Sequence, residues 1–292
     1  MRKKTDQIAI LASNISFTYP EGSKALENID FEVGAGEFVS LLASNGSGKT
    51  TLIKILTGIL KAQVGSVLID GKELGSFTNR DLYQRVGVVL QNPNDQLFGA
   101  TVEDDVAFGP RNLNLSDQEI EARIEESLRF VSAEHLRKKA IHHLSYGEQK
   151  RVAIAGVLAM KPNIIILDEP TAGLDPSGET QMMRLLSRLN REQKITILLA
   201  THLIDMLPLF SNRIYLLKKG KLLLHGTPNE VFRNHELIAQ ANLRIPYISS
   251  LLHELEKYDG APIGNLPLTV RDARQRLLEL IPEEILLQKS KL

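Results

Sequence analysis

A glycine-containing segment between two apolar segments constrains the fold of this chain more than any other feature. Residues 43–50 read Ala-Ser-Asn-Gly-Ser-Gly-Lys-Thr, which differs from the pattern G-x-x-x-x-G-K-[ST] only in its first letter. The preceding residues 38–42 form an apolar run of strand length, and residues 50–60 carry apolar side chains at helical spacing. The order strand, glycine loop and helix predicts a loop that binds phosphate groups through backbone amides and the positive end of the helix.

The residues of this loop have different predicted tasks. Lys49 would reach the β- and γ-phosphates of a nucleotide, and the Thr50 hydroxyl would ligate Mg²⁺. Glycine is needed where the backbone approaches phosphate or takes positive φ, which we expect at Gly46 and Gly48. Ala43 replaces the first glycine of the pattern, and its methyl group costs about 1–2 kcal/mol only if φ there is positive. A glycine- and serine-rich turn that binds no ligand is the alternative interpretation.

Composition narrows the classes of protein to which the chain can belong. Its 292 residues suit one large domain with an appendage, or two small domains, at about 150 residues per domain. Lys+Arg and Asp+Glu number 35 each, so no overall basic charge favours nucleic acid, and no nucleic-acid partner is expected. The absence of cysteine excludes a disulfide framework and a cysteine-based zinc site. The apolar run at 8–11, which follows the basic start Met1–Asp6, is too short for the core of a signal peptide. The apolar runs at 163–167 and 195–199 are shorter than the roughly 18 residues that a membrane span needs.

Periodicity predicts both antiparallel and parallel strands. Alternation of polar and apolar residues at 8–19 and 26–33 predicts antiparallel strands, and residues 213–224 read as a hairpin. Residues 163–168 and 195–202 are apolar on both faces, which predicts buried parallel strands joined by a crossover helix over 178–190.

Helical periodicity appears in two further regions. A mostly helical insert is expected between Pro110 and the glycine motif near residue 147, with Ser116 and Glu119 as a capping box. Short amphipathic helices are expected over 251–258 and 269–281. The helix over 269–281 either packs on the core of its own chain or forms a dimer contact, and the sequence does not distinguish these two possibilities.

Two acids follow the predicted buried strand that begins at residue 163. Asp168 would hold Mg²⁺ through water, and Glu169 would polarise an attacking water molecule, a role that typically contributes about 10²- to 10⁴-fold to a rate. Taken alone, Asp-Glu-Pro is also compatible with a polar strand end that has no catalytic role.

Residues 144–149 read Leu-Ser-Tyr-Gly-Glu-Gln, and Ser145 and Glu148 have the spacing of a capping box at the start of a helix. Gly147 behind the cap leaves the amide end of that helix uncovered. The same geometry therefore suits both a structural cap and a phosphate contact.

In this order the motifs resemble those of the ATP-binding cassette (ABC) ATPases, over about residues 8–240. The resemblance implies that Tyr19 stacks on adenine and that His202 contacts the γ-phosphate. It also implies that Gln91 senses Mg²⁺ and contacts membrane subunits, and that Asp175 lies in a loop crossing a dimer interface. The candidate site comprises Tyr19, Ala43, Ser44, Asn45, Gly46, Ser47, Gly48, Lys49, Thr50, Thr51, Gln91, Ser145, Gly147, Glu148, Asp168, Glu169, Asp175 and His202.

The resemblance also implies an architecture. It is an α/β P-loop NTPase with a RecA-like core, an N-terminal antiparallel β subdomain and an inserted helical subdomain at about 100–160. The ABC ATPase domain would span 8–243, and a small helical C-terminal extension 244–292. Two such domains would pair head to tail, as a homodimer or with a close relative, with two ATP molecules and Mg²⁺ between them.

The signature motif of that family, residues 144–149 here, departs from the family pattern at two positions. Tyr146 stands where the first glycine is expected and Glu148 where glutamine is expected. Ser145 and Gly147, which would face the γ-phosphate, are present, so a competent signature is expected. Glu148 lacks the side-chain amide donor of glutamine, which puts in doubt any hydrogen bond that needs such a donor there.

Residues 91–98 and 101–110 favour one branch of the family, because they resemble the ATPases of energy-coupling-factor importers, which import vitamins and cobalt or nickel ions. The chain as a whole most resembles the cobalt/nickel members. Such a chain would lie on the cytoplasmic face of the cell membrane, with an integral membrane coupling protein and a substrate-capture protein as partners. A vitamin importer is the alternative within transport. A soluble ABC protein is disfavoured because neither a long coiled-coil insert nor a second cassette is present. A nucleotide-binding module without hydrolysis is excluded only if Glu169 acts as proposed.

His142 and His143 suggest a metal site in such a chain. Adjacent side chains point in different directions on a helix or a strand, so they are poor co-ligands. A loop flanking the signature is the favoured interpretation.

Overall fold

The computed structural model describes residues 7–264 and 266–280. Its strands are β1 (Ile8–Thr18), β2 (Lys24–Gly34), β3 (Phe38–Ala43), β4 (Val64–Ile69), β5 (Lys72–Glu73), β6 (Val86–Val89), β7 (Ile164–Asp168), β8 (Thr196–Thr201), β9 (Arg213–Lys218) and β10 (Lys221–Gly226). Its helices are α1 (Lys49–Leu56), α2 (Asn79–Arg85), α3 (Val102–Asn112), α4 (Asp117–Phe130), α5 (Tyr146–Leu158), α6 (Pro176–Gln193), α7 (Leu207–Phe210), α8 (Pro228–Phe232), α9 (His235–Gln240), α10 (Tyr247–Asp259) and α11 (Val270–Leu280).

The N-terminal strands form a four-stranded antiparallel sheet in the order β2-β1-β4-β5. Alternate residues of β2 are buried, among them Ile29, Phe31 and Val33, while the residues between them face solvent. This is the pattern of a sheet with one face on the core, because successive side chains of a strand point to opposite faces. The predicted antiparallel region is confirmed.

The second sheet has six strands in the order β10-β9-β3-β8-β7-β6. Its strands run parallel except β10, which closes the predicted hairpin with β9. Every residue of β3, β7 and β8 is buried, so both faces of this sheet are covered. The carboxyl ends of these three strands meet at one edge, where the glycine loop, the acid pair and His202 follow them.

Helices α3, α4 and α5 pack on one another beside this sheet. The predicted capping box of Ser116 and Glu119 begins α4. The helices of this region begin before Pro110, where the residue pattern placed the start of the insert, because α3 starts at Val102 with Thr101 as its cap and contains Pro110 in its last turn. The subdomain bounds of about 100–160 stay a prediction.

Helix α1 is shorter than its apolar periodicity predicts. It ends at Leu56, although apolar residues continue to Leu60. Gly58 takes a left-handed φ of 74°, which stops the helical hydrogen-bond pattern.

The last two helices pack around an apolar cluster of their own, formed by buried Leu252, Ile263, Leu266 and Ala273. Ala273, Leu277 and Leu280 of the terminal helix belong to this packing, whereas Val270 is 73% exposed. Ile281 of that predicted helix, the remainder of the predicted extension to 292 and the basic start Met1–Asp6 lie outside the described residues. The boundary at 243/244 stays a prediction.

Candidate functional site

The phosphate loop is built so that its alanine adds no strain. Ala43 ends β3 fully buried, and its φ is not among the positive values of the described residues. Gly46 and Gly48 take φ of 74° and 102°, as expected. A Cβ on Gly48 would lie 2.6 Å from the carbonyl oxygen of Ala25, so the neighbouring sheet as well as the dihedral requires glycine there.

The hairpin turn between β9 and β10 braces the same loop. The amide of Gly220 donates to Ser47 O at 2.9 Å, and the amide of Glu27 donates to Gly220 O at 2.8 Å. Gly220 has φ of 76°, and a Cβ there would also lie 2.6 Å from Ala25 O. The loop is therefore held from the side of the hairpin as well as by its own helix.

Lys49 lies in the centre of the site with 6% of its surface exposed. Its Nζ donates to Ala43 O at 2.7 Å and lies 3.0 Å from Oε1 of Glu169. The backbone carbonyl of residue 43 thus helps to position Lys49, and this contact does not depend on the side chain at that position.

Asp168 ends β7 and accepts a hydrogen bond from the Thr50 hydroxyl through Oδ2 at 2.8 Å. Its Oδ1 is buried and has no hydrogen-bond partner among the residues that the structure describes. Burial raises the pKa of Asp168, and the nearby Glu169 carboxylate adds to the rise. A buried carboxylate oxygen with free lone pairs beside a threonine hydroxyl is an oxygen donor set that fits Mg²⁺.

Glu169 is held in an unusual backbone conformation, with φ of 47°, and is 3% exposed. Its Oε1 lies 2.9 Å from Nδ1 of His202 as well as close to Lys49, at charge-contact distances without hydrogen-bond geometry. The amide of His202 donates to Oε2 at 3.4 Å. The His202 side chain is 50% exposed, so the carboxylate lies between a buried cation and a solvent-facing imidazole.

The predicted capping box at the start of α5 is present. Ser145 Oγ accepts from the amide of Glu148 at 3.4 Å, and the Glu148 carboxylate accepts from the amide of Ser145 at 2.7 Å. This backbone hydrogen bond lowers the pKa of Glu148. Residues 144–149 are mostly exposed or half-buried, and we call them the signature turn.

Tyr146, the tyrosine in the signature turn, packs against the loop that precedes α6. A Cβ on Gly173 would lie 2.9 Å from the Tyr146 ring, so this contact requires glycine. Asp175 in the same loop caps α6 by accepting from the amide of Gly178 at 2.6 Å. Sequence reasoning missed this cap, although aspartate followed by proline is a common helix start.

The remaining candidates lie around these groups. The hydroxyl of Tyr19 lies 3.0 Å from that of Thr51, and those of Ser44 and Ser47 are 3.0 Å apart. Asn45 and Gly46 are exposed at the tip of the phosphate loop. Gln91, which follows β6, is also exposed.

Sequence reasoning missed Lys150, a lysine 2% exposed inside α5. Its Nζ donates to Gln91 O at 2.9 Å and to Glu169 O at 3.1 Å. Burial lowers the pKa of Lys150 to about 8. No local sequence pattern predicts these hydrogen bonds, because both acceptors are distant from Lys150 in sequence.

The histidine pair does not build a metal site. The rings of His142 and His143 touch, with centroids 4.2 Å apart, in a short turn before the signature turn. Within residues 7–264 and 266–280, no group of three or more histidine, cysteine, aspartate or glutamate side chains is arranged to hold a metal ion.

Comparison with known proteins decides the family. The family model described as "ABC transporter" matches residues 26–172. The chain belongs to the ABC transporter family. A putative ABC transporter ATP-binding protein of Geobacter sulfurreducens is 48% identical over 266 residues, which cover 91% of this ABC ATPase and 95% of the relative. The energy-coupling factor transporter ATP-binding protein EcfA of Methanococcus maripaludis is 47% identical, with 95% and 100% covered.

Solved structures agree with the fold of this ABC ATPase. The structure of cbiO1 from Clostridium perfringens, described as part of the ABC transporter complex cbiONQ, has a TM-score of 0.74 at 41% identity and covers 85% of this chain and 100% of that one. A dimeric ATP-binding cassette in a post-hydrolysis state, bound to ADP and Pi, has a TM-score of 0.67 at 31% identity, with 75% and 98% covered. The predicted fold class, the similarity to energy-coupling-factor ATPases and the ATPase activity are confirmed. None of the helices in the described part of the chain has the length and hydropathy to cross a membrane.

Proposed function

We propose that this ABC ATPase is the ATP-hydrolysing subunit of an energy-coupling-factor importer for cobalt or nickel ions. The observation that supports hydrolysis is a cluster of charged side chains at the carboxyl ends of three parallel strands, formed by Lys49, Asp168, Glu169 and His202. We call this cluster, together with residues 43–51, the phosphate-loop edge.

The residues of this edge have separate tasks in hydrolysis. Lys49 neutralises the β- and γ-phosphates, while the loop amides and the N-terminus of α1 bind the phosphate oxygens. Glu169 polarises the attacking water, and His202, whose Nδ1 lies beside that carboxylate, contacts the γ-phosphate. The side chain of Tyr19 packs on the adenine.

Magnesium belongs to this proposal. Thr50, Asp168 and Gln91 would hold it, Asp168 through water. When bound, Mg²⁺ neutralises charge that develops on the phosphate oxygens.

Two chains acting together complete the proposal. The signature turn is mostly exposed or half-buried, and its serine and Gly147 offer donors to a phosphate held by another copy. ATP between two copies then closes a dimer, and hydrolysis reopens it. The dimeric cassette to which this chain is similar supports the pairing.

An apolar groove on the chain supports a membrane partner. Ile59 and Phe98 are 55% and 65% exposed there, and the rings of Phe98 and Phe108 meet edge to face at 4.5 Å. Exposed aromatic patches of this kind mark interaction surfaces. We assign this surface, the docking groove, to a helix of the integral membrane coupling protein, which would place the chain on the cytoplasmic face of the membrane. Its lining includes Ile59, Tyr83, Phe98, Phe108, Asn112 and Met160.

The substrate is the part of the proposal that needs its own experiment. The similarity to cbiO1, together with the resemblance of the whole chain to the cobalt/nickel members, favours metal import over vitamin import. The chain would be co-purified with its membrane subunits and reconstituted into vesicles, and ATP-dependent uptake of labelled Co²⁺, Ni²⁺ and vitamins would be compared, with Glu169→Gln as the inactive control. Uptake of a vitamin but of neither metal would contradict the substrate assignment.

A further inference from the structure

The ammonium of Lys150 connects two segments that the proposed function assigns to different tasks. One acceptor, Gln91 O, begins the loop 91–98 that reaches the docking groove. The other, Glu169 O, belongs to the residue that polarises water. A buried ammonium is costly without acceptors, so these two carbonyls account for its place inside the protein.

The backbone of Glu169 needs such external support. Its left-handed φ of 47° is unfavourable for a residue with a side chain, and surrounding contacts must compensate. Its carbonyl accepts from the amide of Ala172 at 3.1 Å as well as from Lys150, and its own amide donates to Ala200 O at 2.9 Å. The Lys150 contact is the one that comes from a different structural layer, helix α5.

The far end of the loop 91–98 is fixed to the same helix. Gln96 donates to Ala153 O on α5 at 3.4 Å and to Val88 O at 3.3 Å, and accepts from the amide of Leu90 at 2.9 Å. Lys150 and Ala153 lie one helical turn apart. A shift of this loop therefore moves against α5 at two points, and one of them bears directly on the backbone of Glu169.

We infer that Lys150 is a positioning residue that couples the loop 91–98, and with it the docking groove, to the Glu169 carboxylate. The inference rests on the proposed role of Glu169. Loss of the ammonium removes the donor shared by both carbonyls and lets the carboxylate leave its orientation toward the water. The loop amides and Lys49, which bind the phosphates in the proposed function, do not contact Lys150, so KM for ATP should change little.

The test compares Lys150→Met with wild type and with Lys161→Met, a matched change at a lysine that is 56% exposed near the end of the same helix. ATP turnover is measured for each chain alone and with its membrane subunits. For Lys150→Met we expect kcat to fall at least about tenfold with KM within about twofold, and partner-dependent stimulation to disappear. Lys161→Met should keep all three quantities. Lys150→Arg, which keeps donors, should recover at least about a third of kcat.

Two controls separate the possible results. Thermal unfolding identifies a variant that fails to fold, and in that case Lys150→Leu, which also lacks a donor, is judged by the same criteria. A folded variant without the donors that keeps kcat and stimulation, or that raises KM in parallel with the loss of kcat, overturns the inference while leaving the proposed function intact. Unchanged turnover in Glu169→Gln overturns the proposed role of Glu169, and this inference with it.

Discussion

The phosphate-loop edge and the signature turn differ in how much of their bonding the chain itself supplies. At the edge, Lys49 and Glu169 are almost fully buried and touch groups from several strands. In the signature turn, the bonds of Ser145 and Glu148 run mainly within the first turn of their own helix, and Tyr146 is 37% exposed. One region is organised internally, whereas the other presents its donors outward. The difference is what the proposed composite site, with halves from two copies, would require.

The largest effect is expected from Glu169→Gln at the phosphate-loop edge. Loss of the carboxylate that polarises water should lower kcat by about 10²-fold or more, while ATP binding persists and an ATP-bound dimer accumulates. Phosphate release and size-exclusion chromatography with ATP measure the two outcomes. The control is Glu125→Gln, an exposed carboxylate on α4. Unchanged hydrolysis would remove Glu169 from the mechanism.

A smaller effect, on two quantities at once, is expected from Ser145→Ala in the signature turn. Loss of the cap should lower the free energy of unfolding by about 1 kcal/mol. Ser116→Ala is a matched control, because Ser116 caps α4 with the same box. Both variants should lose similar stability in denaturant titrations, but only Ser145→Ala should lose turnover. Equal turnover in the two would reduce Ser145 to a structural cap.

Glu148→Gln restores the side chain expected from the family pattern and should change stability less. The folded pKa of Glu148 is lowered, so its charge stabilises the fold above the ordinary value of 4.5, and this contribution is lost as pH falls through the folded pKa. At pH 7 the variant should be less stable by about 0.5 kcal/mol, because a first-turn carboxylate favours the helix. Unfolding curves at neutral and acidic pH measure the difference. A difference that grows on acidification would contradict this assignment.

The smallest effect is expected from Ala43→Gly. Because φ at Ala43 is not positive, glycine relieves no strain, and ATP affinity should change by less than about threefold. Nucleotide titration measures it. A gain of tenfold or more, about 1.4 kcal/mol, would mean that the alanine strains the loop.

The parts of the molecule that could be predicted from sequence are those with local causes. Alternation in β1 and β2, apolar runs in β7 and β8, and capping boxes at Ser116 and Ser145 are each determined by neighbouring residues. The positive φ of Gly46 and Gly48 could be predicted for the same reason, because glycine itself permits that conformation.

The remainder depends on tertiary contacts. The early end of α1 follows from Gly58, which helical periodicity alone does not weigh. The packing of Tyr146 on Gly173 and the two bonds of Lys150 join segments brought together only by the fold. A charged residue on a helix normally faces solvent, so the burial of Lys150 had no sequence signal.

The hairpin turn at Gly220 has a consequence for how this protein can evolve. In sequence it is an ordinary lysine-glycine turn far from every motif, yet a side chain there would collide with the same carbonyl that excludes side chains from Gly48. Because a Cβ on either glycine would lie 2.6 Å from Ala25 O, a side chain at either position would displace the same strand of the antiparallel sheet. In a mutational scan, position 220 should therefore be as depleted of variants as the phosphate loop itself, although no nucleotide contact is assigned to it.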